Sequence, residues 1–160
     1  MTIQFEQALY TLTSDFYNDY PNSSFPELLK PHGNRTYNCI IVEYKDYFIC
    51  IPFRSHMKHK NGYHFKNTVR SRHVSSGLDY SKIVIVKNAT QYLSTSHILI
   101  DKDEYVEAMH HSERIISEAT KYLDDYINHA QNKIALNSQE YKKRYSYSTL
   151  KYFHDILQIF

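Results

Sequence analysis

Two runs of β-branched and aromatic residues, separated by only two residues, constrain the fold of this chain most. Residues 37–44 (YNCIIVEY) and 47–52 (YFICIP) flank Lys45-Asp46. This pattern predicts an antiparallel hairpin, although its turn lacks the glycine that two-residue connections usually contain. Similar composition predicts two further strands, at residues 81–86 (SKIVIV) and 96–100 (SHILI).

The C-terminal part of the chain has the spacing of helices. Asp101-x-x-Glu104 is a capping-box pattern, and apolar residues follow it at helical intervals, with a break near His110-His111. Ser138 begins a second helical pattern that continues to Leu157. Near the N-terminus, Thr13 or Ser14 can cap a short helix. We therefore expect an α+β fold, in which a small twisted antiparallel sheet or barrel carries helices packed outside and long C-terminal helices.

The length of 160 residues fits a single domain spanning residues 1–160, since no repeat or Pro/Gly/Ser linker divides it. No apolar run approaches the roughly 20 residues that cross a bilayer. The first residues lack the basic and apolar segments of a secretory signal. Two cysteines, Cys39 and Cys50, are too few for a disulfide framework, so we expect them to pack in the core of a cytoplasmic protein.

Positive charge is concentrated in the middle of the chain. Residues 30–73 carry a net charge of +7, whereas the rest of the chain carries −5. From Arg54 to Arg72 there are six Lys or Arg, three His and no acidic residue. Such a block is either a solvated basic loop or a site for a polyanion. Tyr63 and Phe65 lie within it and favour RNA, because aromatic rings stack on unpaired bases while cations neutralise phosphates. A membrane partner is not expected, since no amphipathic helix with an exposed apolar face accompanies the block.

Several kinds of chemistry are disfavoured. The chain has only three glycines and contains neither GxGxxG nor GxxxxGK[ST], which argues against nucleotide-dependent enzymes. His56-x-x-His59 has the spacing of metal ligands, but no acidic or thiolate third ligand lies nearby in sequence, so we predict no metal site and no cofactor. The basic block also lacks the several carboxylates with which two-metal nucleases hold their ions.

RNA cleavage without a metal remains open. The ribose 2′-hydroxyl is then the nucleophile, and the protein supplies only proton transfer and charge stabilisation. Arg54, Ser55 and His56 follow the second predicted strand and offer a guanidinium, a hydroxyl and an imidazole at a sheet edge. Arg35 precedes the partner strand, and the Lys45-Asp46 turn lies nearly midway between Arg35 and Ser55. Antiparallel pairing without a slip in register would bring Arg35 and Ser55 close together.

At these residues the chain resembles the endoribonuclease toxins of type III toxin–antitoxin systems, the ToxN/AbiQ group, and most of all its CptN and TenpN-like branches. The resemblance covers about residues 8–130: a strand pair running into Pro52-Phe53-Arg54-Ser55, a basic loop, the segment Gly77–Lys82 before the next strand, and then helices. It implies a compact Kid/MazF-like barrel with helical additions. It also implies sequence-specific RNA cleavage without a metal, leaving a 2′,3′-cyclic phosphate and a 5′-hydroxyl. The partners would be the target RNA and a small structured repeat RNA, the antitoxin, which fills the groove in a closed protein–RNA hetero-oligomer.

The family places a Lys before the first hairpin strand and a Thr-Ser pair after the second. In this chain Arg35 takes the place of the lysine, Arg54 replaces the threonine, and Ser55 matches the serine. The resemblance therefore implies that Ser55 binds the scissile phosphate or orients the attacking hydroxyl. Arg35 and Arg54 would stabilise negative charge, a task suited to a fixed guanidinium.

Other residues of the basic block receive broader assignments. His56, His59 and His64 are competing candidates for general acid or base, because imidazole titrates near neutrality. Tyr63 is predicted to stack on a base, and Lys82 either contacts RNA or belongs to turn-and-strand structure. The residues predicted to follow the RNA backbone are Lys30, Lys58, Lys60, Lys66, Arg70, Arg72 and His73.

Two alternatives from other functional classes remain at this point. The same basic loop would serve a non-catalytic RNA-binding protein. It would also suit a structural or protein-interaction domain whose loop is simply solvated.

Overall fold

The computed structural model of the chain describes residues 9–30, 37–96 and 98–160. The described strands, in chain order, are β1 (Leu9–Leu12), β2 (Asn38–Tyr44), β3 (Tyr47–Ser55), β4 (Gly62–His64), β5 (Ser76–Asp79), β6 (Val84–Val86) and β7 (Leu93–Ser94). The described α-helices are α1 (Ser14–Asp19), α2 (Ala89–Tyr92), α3 (Lys102–His110), α4 (Ser112–Ala130), α5 (Ser138–Tyr145) and α6 (His154–Leu157). Within the described residues, short 3-10 turns cover Arg70–Arg72, Tyr80–Lys82 and Thr149–Phe153. The α+β class predicted from the sequence is confirmed, with an open antiparallel sheet of seven strands.

Strand β3 is the centre of the sheet. The strands lie in the order β4-β5-β3-β2-β1-β7, and β6 pairs separately with β3. One edge of β3 pairs with β2, while the other pairs first with β6, at Phe48–Cys50, and then with β5, at Phe53–Ser55. All these pairings are antiparallel. The last residues of β3 are thus fixed by β5, and this pairing positions the site described below.

The β2–β3 hairpin predicted from the sequence is confirmed. Tyr44 pairs with Tyr47 across the Lys45-Asp46 turn, and Lys45 supplies the left-handed backbone (φ 54°) that a glycine would otherwise provide. Strand β3 continues past the predicted end at Pro52, because β5 offers a hydrogen-bonding partner that the local sequence pattern does not reveal. Cys39 and Cys50 are buried free cysteines, as expected, and burial raises the pKa of Cys39 to about 12.

Helix α4 covers the sheet with its apolar stripe, and the short elements around it complete the core. Ile115, Ala119 and Leu123 of α4 are fully buried. The largest fully buried side chains come from strands, helices and turns alike: Phe16, Ile40, Ile49, Ile51, Met57, Leu78, Ile83, Ile85, Ile115, Leu123, Leu150 and Phe153. The expected break between α3 and α4 occurs at His111. None of the described helices combines the length and apolar character that crossing a bilayer requires.

Two predicted elements, the helix after Ser138 and the strand at 96–100, differ from the sequence-based expectation. The single long helix expected after Ser138 is wrong, because the chain turns after Tyr145 and Ser148 caps a separate 3-10 turn by accepting from the Leu150 amide at 3.2 Å. No strand forms at residues 96 or 98–100. The Asn38 side chain instead makes both hydrogen bonds to the Leu99 backbone that a neighbouring strand would have made.

The basic segment 54–79 is not one long loop. Strands β4 and β5 pair within it, from Gly62↔Asp79 to His64↔Gly77. Tyr63, Phe65 and Leu78 are buried on one face of this pair. The surrounding cations masked the strand pattern in the sequence, and burial of these apolar residues is what orders the segment. The strand expected at 81–86 is likewise shorter, since residues 80–82 form a 3-10 turn.

Candidate functional site

A cleft of about 290 Å³ lies where the end of β3 faces the start of α3. Its lining residues are Tyr37, Asn38, Phe53, Arg54, Ser55, His56, Arg70, Leu99, Ile100 and Glu104. Four of the residues predicted from sequence, Arg54, Ser55, His56 and Arg70, therefore share one cleft. A larger surface groove of about 760 Å³ follows the outer side of α3 and contains none of the predicted site residues.

Arg54 is held in place by a buried carboxylate. Its Nη1 donates to Oδ2 of Asp79 at 2.8 Å, and the Asp79 side chain is fully buried while that of Arg54 is 30% exposed. Burial acts to raise the pKa of Asp79, but hydrogen bonds from His59, Ser81 and Arg54 outweigh it and lower the pKa below its usual value. Asp79 is therefore an anion at neutral pH that fixes the direction of the Arg54 side chain.

His59 is the second side chain oriented by Asp79. Its Nε2 lies 3.1 Å from Oδ2 of Asp79, and its Nδ1 accepts the Asn61 backbone N–H at 3.0 Å. A ring nitrogen that accepts a hydrogen bond carries no proton, so the Nε2–H tautomer donates to Asp79. Both nitrogens of His59 are thereby engaged within the protein, and the ring is not among the residues that line the cleft.

His64 is also engaged within its own loop. Its Nε2 donates to the carbonyl oxygen of His59 at 2.7 Å, and its Nδ1 lies 3.3 Å from Oγ of Ser75. These contacts tie β4 to the loop that follows β3. Of the three histidines predicted as acid or base candidates, the structure thus places only His56 in the cleft.

His56 is exposed at the point where the chain leaves β3. Its backbone adopts a φ of 58°, in the left-handed region that residues with a Cβ rarely occupy. The next residue, Met57, is fully buried, and its amide donates to the Ser75 carbonyl oxygen at 3.2 Å. This change of chain direction places Met57 in the core and leaves the imidazole of His56 at the cleft. Strained backbone conformations are often found at functional sites.

Ser55 and Arg70 are joined by a hydrogen bond. Nη1 of Arg70 donates to Oγ of Ser55 at 2.8 Å. The same guanidinium reaches α3, since its Nη2 donates to Asp101 at 3.2 Å and its Nε lies 3.6 Å from Glu104. Arg70 therefore bridges the two walls of the cleft, and its five N–H groups suit a phosphate as well as a carboxylate.

Two of the predicted RNA contacts are wrong. Tyr63 is only 2% exposed and its hydroxyl donates to Glu107 at 2.8 Å, so the ring cannot stack on a base. Lys82 is 9% exposed; its amine donates to the Tyr147 carbonyl oxygen at 2.9 Å and pairs with Glu27 at 3.5 Å. Burial lowers the pKa of Lys82, and its partners keep it inside the protein. Tyr63 packs inward because side chains along β4 alternate between the two faces of the sheet. Lys82 packs inward because it lies on a buried turn.

The other predicted cations are on the surface. Lys30, Lys58, Lys60, Lys66, Arg72 and His73 are all exposed, as an electrostatic contact with RNA requires. Their role in binding RNA stays a prediction. Arg35, which was expected beside Ser55, lies outside the described residues.

Glu104 is the cleft residue that sequence reasoning missed. The capping-box pattern assigned it a role at the start of α3, but Asp101, although it is the N-cap residue, makes no capping hydrogen bond with its side chain. Glu104 instead lines the cleft and is only 4% exposed. Only its long-range proximity to Arg70 reveals it, and the sequence holds no local signal for that contact.

No group of three or more His, Cys, Asp or Glu placed to hold a metal occurs within residues 9–30, 37–96 and 98–160. The polar side chains that line the cleft are those of Tyr37, Asn38, Arg54, Ser55, His56, Arg70 and Glu104. The chain matches no protein-family model, no curated protein and no solved structure.

Proposed function

We propose that this protein is a metal-independent endoribonuclease, a toxin of the type III toxin–antitoxin kind. The observation that carries the proposal is the meeting of Arg54, Ser55, His56 and Arg70 in one cleft. These groups are the ones that transfer of a phosphodiester to its own ribose needs: fixed positive charge, a hydrogen-bonding hydroxyl and a group that moves protons.

The reaction assigned to this cleft is an internal transesterification. The ribose 2′-oxygen forms a bond to phosphorus, the bond from phosphorus to the 5′-oxygen breaks, and a 2′,3′-cyclic phosphate and a 5′-hydroxyl result. Arg54 and Arg70 stabilise the additional negative charge on the phosphorane, and Ser55 hydrogen-bonds one of its oxygens. His56 as imidazolium gives a proton to the departing 5′-oxygen.

Arg54 is well suited to stabilise a transition state. Its guanidinium is oriented before substrate arrives by the 2.8 Å bond to Asp79, so little reorganisation is needed when charge develops. Arg70 has a different part, because a phosphate oxygen can replace Ser55 or Asp101 as the acceptor of its N–H groups.

The exposed cations around the cleft support the proposed RNA partners. Lys58, Lys60 and Lys66 belong to the acid-free segment and are exposed, which suits contact with the phosphates of a target RNA or a repeat RNA antitoxin. We extend the proposal to a closed protein–RNA hetero-oligomer in the cytoplasm. We also propose that the sheet corresponds to a Kid/MazF-like barrel, an assignment supported by the pairing of β3 with three other strands.

The test is expression of the chain without any partner RNA, followed by sequencing of RNA fragments that carry 5′-hydroxyl ends. We expect growth arrest and cleavage that continues in EDTA. His56→Ala should reduce the cleavage rate of purified protein about 10²–10⁴-fold, the usual contribution of a proton-transfer group. His110→Ala is the matched control, because His110 is an exposed histidine that does not line the cleft.

Other outcomes would overturn the proposal. Cleavage that stops in EDTA excludes the metal-independent mechanism. RNA that copurifies tightly with a protein unable to cleave it identifies a non-catalytic RNA-binding protein. A chain that neither binds RNA at low salt nor arrests growth has a basic segment that is simply solvated.

A further inference from the structure

Helix α3 carries two buried glutamates, three residues apart, with opposite surroundings. Glu104 is 4% exposed and Glu107 is 6% exposed. Glu107 is fully used by the fold: its carboxylate accepts the Tyr63 hydroxyl at 2.8 Å and the backbone amides of Lys66 and Asn67 at 2.7–3.1 Å. It fastens α3 to the segment that follows β4 and does not line the cleft.

Glu104 has no comparable set of partners. Its Oε2 is buried and accepts no hydrogen bond, and the nearest cation is Nε of Arg70 at 3.6 Å. Burying a carboxylate oxygen without a hydrogen bond costs free energy, so stabilisation of the fold does not explain the position of Oε2. Unlike Glu107, it lines the cleft that holds Arg54, Ser55 and His56.

The environment of Glu104 favours a carboxyl group that exchanges protons. Burial raises its pKa; the charge of Arg70 opposes this, while Asp101 and Asp103 of the same helix add to the rise. The Ser76 hydroxyl of β5 also faces it, and Arg54 and His56 line the same cleft from the end of β3. A general base works best when its pKa is moved toward the working pH, and a raised carboxyl pKa is a step in that direction.

We propose that Glu104 is the general base that takes the proton from the attacking 2′-hydroxyl. Arg70 connects it to the phosphate site, because one guanidinium contacts both Ser55 and Glu104. This inference rests on the proposed endoribonuclease function and assigns its missing proton acceptor. In this proposal the two proton transfers occur at opposite walls of the cleft. Glu104 on α3 is the base, and His56 at the end of β3 is the acid.

The step balances as written. The 2′-hydroxyl proton goes to the Glu104 carboxylate while the 2′-oxygen forms its bond to phosphorus. The bond from phosphorus to the 5′-oxygen breaks, and that oxygen receives a proton from the His56 imidazolium. Release of the cyclic phosphate leaves Glu104 protonated and His56 neutral, and exchange of one proton each with water restores both groups.

The test compares Glu104→Gln, Glu104→Asp and Glu113→Gln in single-turnover cleavage across pH. Glu104→Gln should lower the cleavage rate about 10²–10³-fold and remove the acidic limb of the pH–rate profile. Binding of a 2′-O-methyl copy of the cleaved RNA, which cannot react, should be unchanged or tighter. Glu104→Asp keeps a carboxylate and should recover part of the rate. Glu113→Gln removes one exposed carboxylate near the start of α4, outside the cleft, and should keep the wild-type rate and profile.

Three results would overturn the assignment while leaving the proposed function intact. One is a Glu104→Gln protein that cleaves at the wild-type rate with the wild-type pH profile. Another is a parallel loss of binding and cleavage, which would make Glu104 only a support for Arg70. If Glu104→Gln does not fold, a Glu104→Asp protein without an acidic limb would overturn it. A wild-type protein that does not cleave RNA at all is a failure of the proposed function instead.

Discussion

Two arginine–carboxylate pairs meet at the cleft, and they are built differently. Asp79 accepts hydrogen bonds from Arg54, His59 and Ser81, the Arg54 bond being 2.8 Å long, and its pKa lies below the usual value. Glu104 lies 3.6 Å from Arg70, its Oε2 accepts no hydrogen bond, and its pKa lies above the usual value. Both carboxylates are buried. Hydrogen bonds to the charged form, more than burial, therefore decide whether each group is a fixed anion or a proton acceptor.

The difference matters for how each arginine is used. Arg54 is locked by a saturated carboxylate and has one direction before substrate binds. Arg70 donates to Ser55 and Asp101 and lies 3.6 Å from Glu104, so a phosphate oxygen can replace either acceptor. The Arg54–Asp79 pair is thus a fixed positive charge, whereas the Arg70–Glu104 pair can change its hydrogen-bonding partners when a phosphate binds.

The largest expected effect comes from removing the fixed cation. Arg54→Ala should reduce cleavage about 10³-fold, which corresponds to about 4 kcal/mol of transition-state stabilisation, whereas Arg70→Ala should reduce it about 10²-fold. Single-turnover rates, normalised to folded protein, test this ranking. Lys121→Ala on the exposed surface of α4 is the control and should keep the wild-type rate. A greater loss of cleavage rate in Arg70→Ala than in Arg54→Ala would show that Arg70, and not Arg54, contributes more to stabilising the transition state.

Asp79→Asn should be the most destabilising change of a carboxylate. It weakens a buried network and leaves the Arg54 guanidinium without its anion, so we expect a loss of about 3 kcal/mol in the free energy of unfolding at neutral pH. Urea titration followed by circular dichroism measures the change. Glu104→Gln, measured alongside at neutral pH, should cause no loss of unfolding free energy. Equal losses of unfolding free energy in Asp79→Asn and Glu104→Gln would show that the hydrogen bonds to Asp79 do not make it more important for stability than Glu104.

Tyr63→Phe tests how much the hydrogen bonds to Glu107 of α3 contribute to stability. The change removes the hydroxyl that donates to Glu107 at 2.8 Å and should cost about 1 kcal/mol of unfolding free energy. Because Tyr63 is buried, affinity for RNA should stay at the wild-type value. A filter-binding or fluorescence-anisotropy measurement decides this point: a marked loss of affinity without a loss of stability would restore the stacking role predicted from the sequence.

The smallest effect is a difference in pH dependence. The folded-state pKa of Asp79 lies below 3.8, so its stabilising contribution is complete above that value and is lost as the pH falls through the folded pKa. The folded-state pKa of Glu104 lies above 4.5, so its contribution makes the protein more stable as the pH falls from the folded pKa toward 4.5.

Glu104→Gln removes only the second contribution. The variant should match or exceed wild-type stability by up to about 1 kcal/mol at pH near 7 and lose that advantage at pH near 4.5. Urea midpoints measured at several pH values provide the test. An advantage that grows as the pH falls has the wrong sign for a raised carboxyl pKa and would contradict the contrast between the pairs.

Local patterns in the sequence predicted the parts of the molecule that local forces determine. The β2–β3 hairpin follows from two apolar runs and a two-residue turn, and the adjacency of Arg54, Ser55 and His56 follows from where the second strand ends. The sequence also predicts Arg70 as an RNA contact, because it belongs to the same acid-free segment as Arg54, Ser55 and His56. Asp79 and Glu104 were not assigned to the site, since both reach it through contacts between residues 25 to 34 positions apart in the chain.

The errors have equally specific causes. The cations around Tyr63 in sequence predict an exposed ring, whereas the alternation of β4 turns that ring inward. Residue type alone makes His59 and His64 candidates, and only the fold reveals that their ring nitrogens bond within the protein. The sequence presents Lys82 as a surface cation, but its pairing with Glu27 places it inside the protein.

The position of β3 between three neighbours has a consequence for how the cleft opens. Its final residues, Phe53 to Ser55, pair with β5, so exchange of their amides with deuterated solvent should require opening of the β3–β5 pairing. The start of α3 is held against the basic segment through the side chains of Arg70, Asp103 and Glu107, and its amides should exchange through a smaller, local opening. One wall of the cleft is thus held by backbone pairing, and we expect local opening of the cleft to occur at the other.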